Sequence, residues 1–591
     1  MRPILLYFIL IFCLTPLQSQ KYDFTWRMGQ NMVIPADSLK GDVVIHFNTG
    51  DGNPEYSYST QYKSGFNYFT AMICDRQGQF ALSYDGFRLE DKRHNLVSGY
   101  EEICDGEFCA YDPQSSLFLP SSENDSIYYL INGVPLAIGD SFVLGFIFKD
   151  LRVTTILQTE ERTVILGHEI IVKDSLDLGR LTACRHANGR DWWIVTGRFL
   201  KDEIYSILLS EGKVKTIVSS PSGDFLDYAN YGYACFSSNG KFYSRTSELT
   251  DFNGALPRFE FYHFDRCTGQ LSNRQGFILD SVYSFLTGCA FSPGDQYLYI
   301  STSQWLDRYH IVDGSVGVKE RIAEYDGHVG KLFGNSLTHT FLGPMQSAPD
   351  GRIYMNPDQR QSRYLHVIEN PNEEDPSLVF IPRKKFLDAV YIRKPNFPNY
   401  HLGPIDGSEC DTLGIDNVPW AWWRYDQDTA RYRCFEFVDL SAYITNESEP
   451  EWYWDLGDGT QSRDTSPIHC FEKDGIYEIC LIIKNKYGAD TLCRTLNMGT
   501  SATNDEGKIV LKTDIFPNTV SDHFVLKVHD YVPERMYLHL VNSQGQHVHR
   551  ERVYQGSNVI YMQDLTPGLY FVLIYERGVL MKTGKLAVVR E

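Results

Sequence analysis

Apolar and polar residues alternate along much of this chain, and the alternation predicts β-strands. It is clearest near the C-terminus, at residues 524–528 and 570–574, where every second residue is aromatic or aliphatic. A period of two places such residues on one face of a strand. Long runs with helical periodicity are few, so the pattern predicts an all-β protein.

A turn followed by an aromatic or apolar strand recurs through residues 21–405. The turns are 47 to 64 residues apart and lie at Gly78, Asp125, Gly189, Gly240, Asp295 and Gly351. A repeat of about fifty residues is typical of the four-stranded blades of a β-propeller. Six blades are recognisable in this way, and residues 43–47 could close a seventh with residues 390–393. We therefore predict a propeller of about seven blades.

With 591 residues, the chain is too long for a single hydrophobic core. A passage rich in Gly, Asp and Pro at residues 403–417 separates the repeats from further β-type sequence. We expect the propeller to be followed by two Ig-like β-sandwich domains. The predicted boundaries are a signal peptide at 1–20, the propeller at 21–405, a linker at 406–430, a first sandwich at 431–500, a linker at 501–510 and a second sandwich at 511–591.

The first twenty residues have the pattern of a Sec-type signal peptide. A positive start at Arg2 precedes an apolar run at residues 4–14, and Ser19 lies in the polar exit. That run is too short to span a bilayer as a mature helix, and we find no other candidate transmembrane segment. Cys13 lacks the preceding small residues of a lipoprotein cleavage site. We therefore expect a mature chain that begins near residue 20 or 21, without a membrane-spanning segment.

The charge balance favours a soluble extracellular protein. The formal net charge is −20 and the sequence pI is about 5.3. A strongly acidic chain repels both the phosphate backbone of nucleic acids and anionic lipid. We therefore expect no nucleic-acid partner.

Cysteine usage indicates disulfides. Twelve of the 13 cysteines lie outside the signal peptide, an even number for a protein that passes through an oxidising compartment. Sequence spacing suggests two disulfide pairs. Cys104 and Cys109 bracket a short turn, and Cys480 and Cys493 are placed as cross-strand partners of a hairpin. Metal binding is the alternative for the first pair. The remaining connectivity is left open.

Four turn and strand motifs in the last eighty residues form an ordered set. They lie at residues 515–518, 541–546, 565–570 and 585–589, and their characteristic positions are Pro517, Asn518, Gly545, Gly568, Tyr570 and Lys585. Together they resemble the type A sorting domain of the type IX secretion system of Bacteroidota, although Thr519 replaces a usual second proline. An ordinary Ig-like end domain is the alternative. The resemblance implies the type IX secretion machinery as a partner, export across the outer membrane to the cell surface or extracellular space, and removal of the tail.

The string at residues 452–459 resembles the central motif of a PKD domain, an Ig-like sandwich. Its characteristic residues are Trp452, Trp454, Asp455, Gly457, Asp458 and Gly459. Alternation predicts that the two tryptophans are buried on one face, while the carboxylates accept backbone N–H bonds in a tight turn. Calcium at this turn is an alternative, but two carboxylates fall short of the six to eight oxygen ligands that calcium prefers. We therefore predict no cofactor and no metal.

The string at residues 185–193 resembles one found in N-terminal propellers of many type IX-secreted proteins. Turns at residues 291–295 and 347–351 likewise resemble the Ser-Pro-Asp-Gly turn of WD40-like propellers. A ligand site would use His186, Arg190, Asp191 and Trp192. The alternative is that these residues pack between blades and hold the turn. Strand alternation favours that alternative, because it sends Trp192 and Trp193 to opposite faces.

No recognised catalytic motif accompanies these modules. The Gly-x-Ser-x-Gly, His-Glu-x-x-His, Walker and Gly-x-Gly-x-x-Gly patterns are missing. We therefore predict a secreted or surface binding and adhesion protein, not an enzyme, whose extracellular glycan or protein ligand is unidentified. A propeller hydrolase or lyase acting on polysaccharide or peptide is one alternative. A structural component of the cell envelope or gliding surface is the other.

Overall fold

A computed structural model shows the protein to be all-β, as predicted. It describes residues 20–29, 41–64, 71–99, 114–136, 147–177, 179–199, 201–222, 232–247, 257–279, 287–331, 337–357, 362–391, 394–428, 431, 433–443, 450–498, 513–516, 519–520, 523–528, 536–542, 547–554, 556–562, 565–576 and 579–589. Within these ranges, the only helical element is a single 3-10 turn at Pro376–Leu378. The predicted signal peptide lies outside them, except for residue 20.

The chain divides into two compact units. The first comprises residues 1–426, 436–469 and 477–496, and the second comprises residues 427–435, 470–476 and 497–591. The first unit begins with a succession of antiparallel sheets, each built from strands that follow one another in the chain.

The first three sheets contain three, three and four strands. The strands of the first sheet are β1 (Thr25–Met28), β2 (Asp42–His46) and β3 (Glu55–Ser59). Those of the second are β4 (Ala71–Cys74), β5 (Phe80–Tyr84) and β6 (Leu89–Asp91). Those of the third are β7 (Ser116–Pro120), β8 (Ile127–Leu136), β9 (Ile147–Gln158) and β10 (Thr163–Leu176).

Four further four-stranded sheets follow, with one separate hairpin. The fourth contains β11 (Thr182–Arg185), β12 (Trp192–Gly197), β13 (Glu203–Ser210) and β14 (Lys213–Pro221). The fifth contains β15 (Ala234–Phe236), β16 (Phe242–Ser247), β17 (Arg258–Phe264) and β18 (Leu271–Ile278). The sixth contains β19 (Thr287–Phe291), β20 (Tyr297–Thr302), β21 (Trp305–Val312) and β22 (Ser315–Glu324). After the hairpin β23 (Val329–Lys331) and β24 (Leu337–His339), the seventh contains β25 (Met345–Ser347), β26 (Ile353–Met355), β27 (Ser362–Ile368) and β28 (Phe380–Tyr391).

In the fourth and sixth sheets, burial falls from the first strand to the last. Every residue of β11 and of β19 is buried, whereas most residues of β14 and β18 are exposed or half-buried. First strands of several consecutive sheets are neighbours: β11 lies beside β15, β15 beside β19, and β19 beside β25. The second strand of the first sheet, β2, lies beside β28 of the last sheet. The apolar first strands thus pack together, while the polar last strands face solvent.

The predicted turn glycines lie between the first and second strands of their sheets. Gly189 has φ +74° and Gly240 has φ +71°, a region that residues with a Cβ rarely adopt. A Cβ on Gly189 would also lie 2.9 Å from Pro404. These positions therefore require glycine both for the turn and for the close approach of another segment.

That segment is residues 394–424, which run across the turns between first and second strands. Ile405 N–H donates to the Ala187 carbonyl at 2.8 Å, and Asn399 donates to the Ser238 carbonyl at 3.0 Å. A disulfide joins Cys267 to Cys410. The end of the sheets that carries these turns is therefore covered by the chain itself.

A two-sheet sandwich follows. One sheet contains β29 (Trp423–Gln427), β30 (Cys434–Asp439) and β33 (Ile468–Cys470), and the other contains β31 (Glu451–Asp455), β32 (Gln461–Ser462), β34 (Ile476–Lys484) and β35 (Ala489–Asn497). Disulfides join Cys434 to Cys470 and Cys480 to Cys493, the latter being the pair suggested by hairpin spacing. Strand β29 lies inside the stretch 406–430 that we predicted as a linker. Its Trp423 is fully buried and packs on Trp454 at 5.3 Å between ring centroids.

The second unit contains most of a further β-sandwich. One sheet has the order β36 (Thr513–Phe516), β38 (His523–Val528), β41 (Gly556–Tyr561). The other has the order β37 (Thr519–Val520), β43 (Val579–Val588), β42 (Gly568–Glu576), β39 (Met536–Asn542), β40 (His547–Val553). The alternating residues singled out in the sequence are all buried in one core: Phe524, Leu526, Val528, Tyr570, Val572 and Ile574.

A buried histidine in β27 predicts a specific pH dependence of stability. His366 is 1% exposed, and burial lowers its pKa to about 4, assisted by the nearby charge of Arg383 and opposed in part by Asp326. Between pH 4 and 6.5 the unfolded chain binds a proton at His366 and the folded chain does not. The contribution of this residue to the free energy of unfolding is therefore fully present above its ordinary pKa of 6.5 and is lost as the pH falls towards 4. The loss is roughly 2–3 kcal/mol.

The matched variant for this prediction is His366→Asn. His366 Nδ1 accepts the Arg383 backbone N–H at 3.0 Å, and an asparagine oxygen occupies a similar place without titrating. We expect the hydrogen-exchange protection of the β27 amides to change less with pH over this window in the variant than in the natural chain. Equal pH dependence in the two proteins would contradict the assignment.

Candidate functional site

The predicted ligand residues at 186–192 form a closed network within the fold. His186 Nδ1 accepts the Asn188 backbone N–H at 3.0 Å, so its Nε2–H donates to the Cys267 carbonyl at 3.1 Å. Asn188 also donates to Asp191 Oδ2 at 2.8 Å. The histidine thus holds its own turn and ties it to the following sheet.

The neighbouring side chains are engaged in the same way. Arg190 Nε donates to Asp191 Oδ1 at 2.9 Å, and Trp192 is buried beneath the Arg185 guanidinium at 4.2 Å from the ring centroid. Trp193, on the other face of the strand, donates its Nε1–H to the Arg266 carbonyl at 2.8 Å. These contacts are those expected from the packing interpretation of the string, and the ligand site at His186, Arg190, Asp191 and Trp192 stays a prediction.

The PKD motif likewise makes local contacts. Asp455 Oδ1 accepts the Gly457 N–H at 3.0 Å, and Asp458 accepts the Thr460 N–H at 2.9 Å and pairs with His469 at 2.7 Å. Trp454 is buried, whereas Trp452 is half-buried and donates to Asp439 at 3.0 Å. Over the described ranges, no group of three or more His, Cys, Asp or Glu side chains is placed to hold a metal ion. The absence of a cofactor stays a prediction.

The remaining predicted residues are divided between described and undescribed parts of the chain. Pro517, Asn518 and Gly545 lie outside the described residues, and so do Cys104 and Cys109. Gly568 begins β42, Lys585 is exposed on β43, and Tyr570 is buried with its hydroxyl donating to the Thr566 carbonyl at 2.7 Å.

A small cavity rich in arginine lies where the fourth and fifth sheets meet. Its volume is about 30 Å³, enough for one or two water molecules or a small polar group. The lining residues come from the segment before β11, the β12–β13 turn, the end of β14 and the adjoining ends of β16 and β17. They are Asp177, Arg180, Arg198, Lys201, Ser222, Arg245, Thr246, Ser247, Arg258 and Glu260. We call this the arginine cavity.

Paired carboxylates hold the cationic side chains of the arginine cavity in place. Arg245 is an ion-pair partner of Glu260, its cross-strand neighbour, and Arg274 binds the other oxygen of Glu260 at 2.8 Å. Arg180 binds Asp177 at 3.2 Å. A guanidinium has five N–H donors, so one arginine can bind a carboxylate and other oxygen acceptors at the same time.

Electrostatic interactions keep both Arg245 and Glu260 charged. Burial alone would raise the pKa of Glu260, but the charges of Arg245 and Arg274 outweigh burial and lower it. Burial would likewise lower the pKa of Arg245, and the Glu260 charge reverses this and holds it well above its ordinary value. The lining contains five cationic and two acidic side chains, and Arg198 also pairs with Asp174 and Glu203 beyond the lining, which leaves a small excess of cations at the arginine cavity.

Sequence reasoning missed the arginine cavity entirely. Its residues span positions 177–260 and come from separate turns and strand ends, so no spacing connects them. A weak signal does exist in the alternation of Arg258 and Glu260, which places both on one face of β17. Only the packing of two sheets brings that face to the other cationic residues.

Comparisons with known proteins identify two modules. Residues 423–499 match the PKD domain family, and residues 514–588 match the secretion system C-terminal sorting domain family. Collagenase ColQ1 of Bacillus cereus (strain Q1) is 36% identical over 44 residues, which are 7% of this chain and 5% of the collagenase. The matched stretch therefore represents a small part of that protein.

Comparison with solved structures gives matches at low identity and low TM-score. The PKD1 domain of Vibrio anguillarum Epp is 23% identical, covers 14% of this chain and 94% of its own, and has a TM-score of 0.12. The Sqt1 structure from Chaetomium thermophilum is 11% identical, covers 61% of this chain and 82% of its own, and has a TM-score of 0.33. Among the described residues, no helix has the length and apolar character needed to cross a membrane.

The matches place the two C-terminal sandwiches in known families. The PKD match begins at the first residue of β29 and the sorting-domain match covers the strands β36 to β43. The chain therefore carries an Ig-like PKD domain followed by a C-terminal sorting domain, and it is a protein secreted by the type IX system to the cell surface or the extracellular space.

Proposed function

We propose that this protein is a secreted or surface-displayed binding protein in which a seven-bladed, WD40-like β-propeller presents the ligand site. The PKD domain acts as a spacer or adhesive module, and the sorting domain directs export. The protein is not an enzyme in this proposal. The main observation that supports a binding role is the arginine cavity.

The propeller in this proposal accounts for seven successive meander sheets, in five of which every residue of the first strand is buried. The neighbouring first strands and the adjacency of β2 and β28 support a ring that closes between the first sheet and the last. Trp26 of β1 also packs on Tyr354 of β26 at 5.6 Å between ring centroids. Residues 392–393, part of the predicted closing strand, lie outside the described residues.

The position of the arginine cavity supports a role in binding. In an antiparallel meander, successive turns alternate between the two ends of the sheet. The β12–β13 turn, which contributes Arg198 and Lys201, therefore lies at the opposite end from the β11–β12 turn that residues 394–424 cover. The cavity therefore lies at the opposite end from the turns that residues 399–405 contact, while Asn396 reaches the cavity end and donates to the Ser116 and Leu181 carbonyls.

The chemistry of the arginine cavity favours an oxyanion, such as a carboxylate or sulfate of an extracellular glycan or protein. Guanidinium groups bind such groups through paired N–H donors, and charge-assisted bonds are the stronger ones. The fixed pairs of Arg245 with Glu260 and Arg180 with Asp177 orient these donors before a ligand arrives. Lys201 is exposed and Arg258 is half-buried at the rim.

The test compares retention of the mature secreted protein on immobilised sulfated, uronate-rich and neutral polysaccharides and on matrix proteins. The variant Lys201→Gln/Arg258→Gln removes two charges from the arginine cavity. The control Lys213→Gln/Lys215→Gln removes the same charge from exposed positions of β14. We expect the cavity variant to bind an acidic ligand about tenfold more weakly or worse, the loss of roughly one charge-assisted hydrogen bond. The control should bind normally.

Three results would oppose the proposal. Equal retention of both variants would show that the arginine cavity is not the site, and absence of retention on every surface would favour the structural envelope role. Cleavage of a polysaccharide or peptide would favour the hydrolase or lyase alternative. The lowered pKa of Glu260 argues only against a general-acid role for that residue, because a general acid needs a raised pKa.

A further inference from the structure

Two cysteines that take part in no disulfide of the described residues lie against each other between neighbouring sheets. Cys235 is in β15 and Cys289 is in β19, the adjacent first strand. Both belong to one hydrophobic cluster, in which Cys289 is buried and Cys235 packs against it.

The direction of the Cys289 side chain brings its sulfur to the sheet of Cys235. Cys289 Sγ lies 3.6 Å from the Tyr233 carbonyl and 3.8 Å from the Ser244 carbonyl. Ser244 is the residue paired with Cys235 across β15 and β16. Burial, together with the nearby Cys289 thiol, raises the pKa of Cys235.

Two other cysteines of the described residues are also free thiols, and they differ from this pair. Cys74 Sγ donates to the Thr25 carbonyl at 3.4 Å, and Cys184 Sγ lies 3.7 Å from the Arg185 carbonyl. Both are fully buried. They provide internal controls within the same chain.

We propose that Cys235 and Cys289 form a disulfide in the exported protein, joining the fifth sheet to the sixth. The chain reaches an oxidising compartment and already contains three disulfides among its described residues. The fifth sheet carries Arg245, Arg258 and Glu260, so the bond would fasten one wall of the arginine cavity to the next sheet.

The bond forms by exchange with the disulfide of an oxidised dithiol oxidoreductase of the cell envelope. One cysteine thiolate attacks a donor sulfur to form a mixed disulfide, and the second thiolate then displaces the donor. The two cysteines lose two protons and two electrons, and the donor disulfide is reduced to two thiols. Burial raises the pKa of Cys235 well above its ordinary value, so exchange precedes completion of the fold, while the thiols are still accessible.

Peptide mapping of the exported protein tests the assignment. The protein is collected from the cell surface or medium of its own host, unfolded and alkylated without reduction, and then digested. We expect a linked peptide pair that contains Cys235 and Cys289 without alkyl groups, while Cys74 and Cys184 are alkylated. Alkylation of both Cys235 and Cys289, or linkage of either one to a different cysteine, would overturn the proposal.

Two variants provide a further test of the Cys235–Cys289 disulfide. Cys289→Ala should make Cys235 accessible to alkylation in the unfolded protein, whereas Cys184→Ala should leave the Cys235–Cys289 link intact. If Cys289→Ala is not exported, the map of the natural protein decides the question by itself. None of these outcomes depends on the ligand of the arginine cavity.

Discussion

Removal of residues 511–591 is expected to strand the rest of the chain in the periplasm. These residues contain the sorting domain, whose strands β36 to β43 surround a core of their own. The strands of the seven N-terminal sheets lie wholly in the first unit, so their folding does not require the tail. Immunoblotting of periplasmic, surface and medium fractions measures the effect, which should be a nearly complete loss of export.

Folding of the truncated chain must be checked separately from its location. The Cys480–Cys493 disulfide should form in the periplasmic product, which peptide mapping would show. Phe524→Asp, which introduces a charge into the fully buried core of the tail, should block export as the deletion does. Val559→Asp, at a position 38% exposed, should be exported.

The mature surface form should lack residues from about 511 onward, as the resemblance to a cleavable sorting domain implies. Mass spectrometry of the surface protein determines its C-terminus. An intact tail on the mature surface protein would contradict this, and surface display of the deletion variant would contradict the sorting role itself.

The second large effect is expected for Arg352→Leu, which should destabilise the protein by about 3–5 kcal/mol because it leaves the fully buried carboxylate of Asp350 without the cation that pairs with it. Arg352 is 9% exposed in its side chain and binds Asp350 at 3.0 Å, Glu369 at 2.8 Å and Asp426 at 3.4 Å. It also donates to Asn53 at 3.0 Å. One side chain thus joins the seventh sheet to β29 and to the segment after β2.

The pH dependence of this variant follows from the same contacts. Burial alone would raise the pKa values of Glu369 and Asp426, but neighbouring cations, Arg352 among them, lower both. Groups with lowered pKa stabilise the folded state at neutral pH, and this contribution is lost as the pH falls through their folded values. The deficit of Arg352→Leu should therefore shrink in acid.

Local hydrogen exchange is the suitable measurement, because a chain of several domains does not unfold in one step. Amides of β26 and β27 should exchange faster in Arg352→Leu than in the natural chain. The control is Arg431→Ala, which breaks an exposed pair with Asp428 and should cost about 0–1 kcal/mol. Equal effects of the two substitutions would show that burial of the Arg352 cluster has no energetic consequence.

Features set by neighbouring residues could be predicted from the sequence. The turns at Gly189 and Gly240 depend on a backbone conformation that glycine favours, and the structure has both at positive φ. The Cys480–Cys493 pair lies on one hairpin, so its spacing was readable. The tail core followed from a period-two pattern that a strand imposes on its own residues.

Features that depend on residues far apart in the chain could not be predicted from the sequence. His186 donates to the carbonyl of Cys267, and Cys267 is bonded to Cys410, 143 residues further along. The sequence left His186 open between a ligand role and a packing role because its partners belong to another sheet and to the covering segment. Strand β29 was assigned to a linker because the residues that bury Trp423 come from other strands, including Trp454.

The sequence by itself determined the all-β character, the order of the C-terminal modules and the export route, because these depend on local periodicity and on contiguous motifs. The tertiary structure alone decided which polar residues are buried together. Arg180 meets the cross-strand pair Arg245–Glu260 only when the fourth and fifth sheets pack, and Cys235 meets Cys289 only when the fifth packs on the sixth. Charge pairing and thiol proximity act over a few ångströms in space, and separation along the chain does not set those distances.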